Sequence, residues 1–201
     1  MITVLDEPSS IKYHKSMTSL EEYRQAVEYL AKEKMDFDIH NEGNDCAKVI
    51  FANIFVNAKQ TVRIVANTLR NEVVDSPDYQ DALDSFLSNE KAELKIIINH
   101  LPENAKEDSV NNIYRRLHRH PSYLAGRIQI REAGRDMFHI GDKPANFCVA
   151  DGTMSRIERD VVKRNALCNF GNKDRAVKLE EIFDRGFSSI QNVVDLNQLF
   201  S

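Results

Sequence analysis

The segment Leu94-Lys95-Ile96-Ile97-Ile98 carries a single polar residue in five positions. A nearly all-apolar run of that length belongs to a strand inside a sheet, covered on both faces, rather than to a sheet with one wet side. Working upstream, TVRIVA at 61–66 also reads as a strand, rich in β-branched residues and joined to the helical stretch before it by Lys59 and Gln60. Between these two strands, Tyr79, Leu83, Phe86 and Leu87 share one face of a helix predicted over 78–87.

Further out the same alternation continues. Asp45 is placed to cap a helix whose apolar positions, Val49 to Val56, run on to Ala58. Ser19 stands three residues before Glu22, a capping-box spacing, and Tyr23, Val27, Leu30 and Ala31 follow at helical intervals. Residues 36–40 alternate polar and apolar and read as a short strand, with turn residues around Gly43. Downstream, 110–118 has helical spacing, 128–130 and 167–170 read as strands, and 147–150 and 154–157 flank Asp151-Gly152 as a hairpin. A last helix over 175–187 places Ala176, Leu179, Ile182, Phe183 and Phe187 on one side. The pattern specifies an α/β fold, with a mixed, mainly parallel sheet sandwiched between helices. Residues 1–35 are expected to form an N-terminal arm and an amphipathic helix, and 36–201 a single α/β domain. That helix serves either core packing or a partner surface.

Composition excludes several classes. Hydrophobic residues make up 42% and charged residues 29%, too much of the first for a disordered chain. No apolar run reaches the roughly 20 residues of a membrane span, and no secretory signal pattern opens the chain, so a cytoplasmic protein without a membrane role is expected. Cys46, Cys148 and Cys168 are odd in number and lack CxxC spacing, which argues for buried free thiols over disulfides or zinc. A net charge of −4 argues against indiscriminate nucleic-acid binding by the whole surface. The glycines form neither GxGxxG nor GxxxxGK, which disfavours the familiar nucleotide-triphosphate chemistries, and neither a metal nor a cofactor is implied.

The strings FANIFVNAKQTVRIVANTL (51–69), ALDSFLSNEKAELKIII (82–98), ANFCVADG (145–152) and NALCNFGNKDRAVKLEEIFDRGF (165–187), in that order, resemble the phospholipase D superfamily. In that family a histidine, a lysine two residues later and an aspartate five further on surround the hairpin. With Asp151 in the aspartate's place, the histidine position falls on Pro144 and the lysine position on Asn146. The family's chemistry passes through a phosphohistidine while lysine neutralises the phosphoryl oxygens, and a pyrrolidine ring offers no nucleophile. The small residues expected downstream are replaced by Glu158-Arg159. The resemblance therefore implies a phospholipase D-like pseudoenzyme.

Each conspicuous residue has a bland reading and a functional one. His139 is either a structural histidine or a substitute nucleophile. Asp151 with Gly152 is either turn chemistry or a cleft carboxylate. Arg156 and Glu158 share a strand face and form either a structural ion pair or, with Asp151, a charged cleft lining. Arg115, Arg116 and Arg119 belong to the arginine- and histidine-rich segment 114–135, which is either a solvated face or a phosphate-binding one, with Tyr114 or Tyr123 as a stacking platform.

The leading expectation is a binding or scaffolding module for nucleic acid or another phosphate-bearing ligand, held by Asn146, Arg156, Arg115, Arg116 and Arg119. The family builds its cleft from two such domains, which implies a homodimer. A divergent phosphodiesterase or nuclease, using His139 or a metal held by Asp151 and Glu158, is the rival. A structural subunit with a protein partner and no ligand of its own is the third reading.

Overall fold

Side chains of the strand Thr61–Ala66 divide between two cores: Val62 and Ile64 join one, Val65 the other. A strand with apolar residues on both faces must be covered twice, and the computed structural model shows how. It describes residues 2–3, 19–107, 109, 112–161 and 164–201. In chain order the elements are β1 (Ile2–Thr3), α1 (Leu20–Lys32), β2 (Ile39–Asn41), α2 (Gly43–Asn57), β3 (Thr61–Ala66), α3 (Pro77–Leu87) and β4 (Glu93–Ile98). A 3-10 turn at Glu103–Lys106 leads to α4 (Ile113–Arg119), α5 (Pro121–Leu124), β5 (Ile128–Glu132), β6 (Phe138–Ile140) and β7 (Lys143–Pro144). The chain then forms β8 (Asn146–Ala150), β9 (Met154–Asp160), β10 (Asn165–Asn169), α6 (Lys173–Ser189) and α7 (Leu196–Leu199).

Seven strands form one sheet in the order β2-β10-β9-β8-β3-β4-β5. Adjacent strands are parallel across β3, β4 and β5, and antiparallel at every other step. Following those pairings, β2, β3, β4, β5 and β9 run one way and β8 and β10 the other, so the sheet is mixed with most strands pointing in one direction. A separate three-stranded sheet, β1-β6-β7, joins the chain's beginning to its middle.

On one face, α1, α2 and α3 set Val27, Ile50, Phe55 and Leu83 against Val62, Ile64, Leu94 and Ile96. On the other face α6 sets Leu179, Phe183 and Phe187 against Val65, Ile97, Phe147 and Ile157. Each such fully buried aliphatic or aromatic side chain contributes about 1.5–3 kcal/mol from leaving water, which is what holds both layers to the sheet. Aromatic edges reinforce the packing, with Phe55 meeting Tyr79 edge-on at 5.0 Å between centroids.

Several boundaries differ from the sequence reading. Ser19 caps α1 as its spacing predicts, accepting from the Glu22 N–H at 3.2 Å. The apolar face of α1 lies in the same core as α2, so the helix grouped with the arm packs with the rest of the chain. The strand predicted over 36–40 is confined to Ile39–Asn41, because Asp36 and Asp38 turn their carboxylates to Asn169 and Arg175 instead of extending a ladder. A methyl group on Gly171 would sit 2.6 Å from the Asp36 nitrogen, so only glycine lets the loop after α1 lie against the start of α6. Asp45 is not the cap of α2. That helix begins at Gly43, Glu42 occupies the cap position without a side-chain bond, and Asp45 holds Lys48 at 2.9 Å. The arm expected over 1–14 lies outside the described residues apart from Ile2–Thr3, and the predicted start of the 110–118 helix is likewise outside them. Among the described residues no helix is long and apolar enough to cross a membrane.

Candidate ligand-binding cavity

From β3 the chain runs to one side through β4 and β5 and returns to the other side with β8, so the strand order reverses at β3. Open α/β sheets place ligands at such a reversal. Here it opens into a cavity of about 490 Å³. Asn67, Thr68 and Arg70 after β3, and Asn99 and His100 after β4, form part of its wall. The end of β7 adds Pro144, the start of β8 adds Asn146, and the later part of β9 adds Arg156 and Glu158. Ala47 and Phe51 of α2, with Val73, Val74 and Tyr79, supply an apolar portion.

Arg156 and Glu158 point to the same face of β9, as the two-residue period of a strand requires. They form an ion pair at 3.1 Å, with 3% and 2% of each residue exposed. The pair is embedded in further contacts that offset the cost of removing two charges from water. Arg156 Nε donates to Asn41 Oδ1 at 3.0 Å, and its guanidinium lies 5.0 Å from the centre of the Phe51 ring. Glu158 accepts from Asn146 Nδ2 at 2.9 Å and has Arg164 at 3.6 Å. Arg164, less buried, also lines the cavity. Asn146, Arg156 and Glu158 are thus brought together, and the ion pair expected of Arg156 and Glu158 is formed.

Asp151 is elsewhere. It and Gly152 adopt φ of 51° and 60°, the left-handed pair of a type I′ hairpin. Its carboxylate accepts the backbone N–H groups of Lys59, Gln60 and Thr61 at 2.6, 3.0 and 2.8 Å, clipping the hairpin to the start of β3. The turn precedes β9 while Glu158 lies four residues along from its start, about 13 Å at the rise of a strand. The structure therefore does not join Asp151 to Glu158 around a metal or in a common cleft lining. Among the described residues no three His, Cys, Asp or Glu side chains gather as metal ligands.

His139 stands on β6 with its Cα opposite Pro144, one strand away from the cavity wall. It is 8% exposed, does not line the cavity, and its Nδ1 has no hydrogen-bond partner. Substitute nucleophilic attack from that position would require the ring to leave its packed site.

The arginine-rich segment is largely spent on the fold. Arg116 reaches Asp84, Gln80 and Asp81 at 2.9, 2.9 and 2.8 Å. Arg127 donates to the carbonyls of Asn89 and Ala92, and Arg131 to those of Phe187 and Ile190. Arg115 lies 4.7 Å from the Phe200 ring centre, while Arg119 is exposed. Arg115, Arg116 and Arg119 share a smaller depression of about 260 Å³ with Asp84 and His120, separate from the cavity that holds Asn146 and Arg156. Tyr114 is fully buried, and the Tyr123 hydroxyl is engaged by Asp195 and the Leu196 N–H, so neither presents a free stacking platform.

Sequence reasoning missed Arg70, Asn99 and Phe51. A signal existed for the first two: polar residues immediately follow the two apolar strands, Asn67-Thr68 after β3 and Asn99-His100 after β4, where ligands of α/β sheets are bound.

Neither a protein-family model nor a curated protein sequence matches this chain. Solved structures do. TrmBL2, an archaeal chromatin protein whose structure is described as showing a novel mode of DNA binding, superposes with a TM-score of 0.51 at 10% identity, over 86% of this chain and 62% of its own. The phosphatidylserine synthase of Haemophilus influenzae Rd KW20 superposes with a TM-score of 0.52 at 9% identity, over 82% of this chain and 41% of its own. This chain thus spans less than two thirds of either. At such identities the likeness concerns the fold, an α/β sandwich that this chain shares with both.

Proposed function

We propose that this chain is a phospholipase D-like protein that binds a phosphate-bearing ligand, nucleic acid foremost, without cleaving it. The observation that carries the reading is the identity of two cavity-wall residues, Pro144 and Asn146. Proline has no nucleophilic atom, and the Asn146 amide is uncharged and donates to Glu158. At those two positions a phosphoryl group meets neither an imidazole nor an ammonium, the pair that the family's chemistry uses. Arg70, Arg156 and Arg164 bring three guanidinium groups to the wall, the side-chain type best suited to phosphate oxygens. The DNA binding described for one structural neighbour supports nucleic acid as the first ligand to try.

The same reading includes a homodimer. Two domains of this fold complete a cleft, and a chain with one such sheet does so with a second copy about a two-fold axis.

Binding of fluorescent single- and double-stranded DNA and RNA across a salt series, with sedimentation velocity alongside, tests both parts. Affinity that falls as salt rises, on a particle of twice the chain mass, is expected. A salt-independent or absent interaction contradicts the ligand, and a monomer at all concentrations contradicts the pairing.

A further inference from the structure

Two side chains in the cavity wall retain unmet hydrogen-bonding capacity. Arg70 has 11% of its side chain exposed. Its Nη2 reaches Glu107 at 3.4 Å and its Nη1 stands 3.8 Å from Asp75, yet neither Nε nor Nη1 has a hydrogen-bond partner. Asn99, 4% exposed, donates its amide N–H to Asp136 at 2.7 Å, and its Oδ1 is left without a donor. Buried polar atoms are nearly always matched, so a guanidinium edge and an amide oxygen left over in one cavity describe their ligand by complement. It brings an anionic oxygen to Arg70 and an O–H or N–H to Asn99.

The remaining wall restricts the rest of the molecule. Phe51, partly exposed, lies beside Val73 and Val74, with the buried Tyr79 ring packed 5.3 Å from its own. An apolar, ring-lined recess next to an anion-binding edge suits a flat ring joined to a phosphate through a hydroxyl-bearing spacer. The volume of about 490 Å³ is that of a pocket enclosing one small molecule, not of an open groove for a duplex.

Resting on the reading that the cavity takes a phosphate-bearing ligand, we infer that this ligand is a single nucleotide unit. Its phosphate lies on Arg70, a sugar hydroxyl donates to Asn99 Oδ1, and the base rests against Phe51. The unit comes either as a free nucleoside monophosphate or as the phosphorylated end of a strand. The two share this chemistry.

Calorimetric titration of the full chain with adenosine monophosphate, its 2′,3′-dideoxy analogue, adenosine, inorganic phosphate, glycerol 3-phosphate and a 5′-phosphorylated trinucleotide tests it. Adenosine monophosphate is expected to bind about tenfold or more tighter than phosphate, glycerol phosphate or adenosine, and about fivefold tighter than the dideoxy analogue. Arg70→Gln should erase the advantage over adenosine, and Asn99→Ala the advantage over the dideoxy analogue, with circular dichroism confirming that each variant folds. The ranking on the unaltered chain stands as a test whether or not the variants fold. Equal affinity for glycerol phosphate and adenosine monophosphate would overturn the nucleotide while leaving the phosphate reading intact. Binding of none of the phosphates would overturn both. A trinucleotide that binds as tightly as the mononucleotide, or tighter, points to strand ends; one that binds more weakly points to the free nucleotide.

Discussion

The Arg156 guanidinium and the Glu158 carboxylate meet at 3.1 Å along one strand, with 4% and 3% of their side chains exposed, in the wall of the cavity of about 490 Å³. A charge so deeply buried is tolerable only while its partner remains. Glu158→Gln and Arg156→Met should each lower stability by about 3–5 kcal/mol, whereas the double substitution should cost much less than their sum. Urea unfolding of the three variants measures this coupling, and additive losses would show that the two charges are held by their other neighbours instead.

Asp151 has a different task at the opposite end of β8. Removing its carboxylate strands the N–H groups of Lys59, Gln60 and Thr61 and places a residue without a side-chain acceptor at φ 51°. Asp151→Ala should destabilise by about 2–3 kcal/mol, the range of hydrogen bonds to a charged group, yet leave ligand affinity unchanged. Thermal unfolding and titration on the same preparation check both halves. A loss of binding with stability intact would return Asp151 to the cleft.

Burial alone would raise the Asp38 carboxyl, but hydrogen bonds from Arg175 and Asn169 and the Arg175 charge outweigh it and hold the group below the usual carboxylate range. A carboxyl depressed in the folded chain stabilises it at every pH above its unfolded pKa of about 4, and that contribution disappears as pH falls through the folded value. Asp38→Asn should therefore lower the melting temperature at pH 7 and flatten its fall below about pH 4. Melting curves between pH 2 and 7, marked at roughly unit steps, give the comparison. Parallel acid profiles for the two proteins would contradict the assignment.

The thiols of Cys148 and Cys168, fully buried on either side of Arg156, are pushed by burial up to about 12. Cys46, only partly buried, is raised by burial as well. Since the thiolate is the reactive form, a disulfide reagent at mildly alkaline pH should titrate Cys46 alone in the native chain, and all three cysteines in denaturant. Rapid native reaction of a second thiol would mean that the β8–β9–β10 layer opens more readily than its packing implies.

What could be read from the sequence follows from how local each signal is. The runs 61–66 and 94–98 declare themselves as interior strands because their apolar content has only one use, and the Asp151-Gly152 pair declares its turn because few residues accept positive φ at both positions. β6 and β7, at three and two residues, are too short for periodicity to register. The short strand near 36–40 was displaced because its acidic side chains answer to Asn169 and Arg175, more than 130 positions away.

The site was half legible for the same reason. Asn146, Arg156 and Glu158 could be associated because one hairpin carries all three. The arginines of 114–135 looked like a charged patch because the carboxylates that neutralise Arg116 and the carbonyls that bind Arg127 and Arg131 come from distant elements. Arg70 and Asn99 converge only once β3 and β4 lie side by side, a juxtaposition no linear pattern displays.

Whether the cavity holds a phosphate-bearing ligand and leaves it intact is decided by incubating a fluorescent, 5′-phosphorylated single strand with the purified chain, following anisotropy, and resolving the same samples on a denaturing gel, with and without divalent metal. Raised anisotropy that collapses with salt, while every strand keeps its full length, is expected. Metal-independent cleavage that scales with the purified chain, or no rise in anisotropy even at low salt, would contradict it.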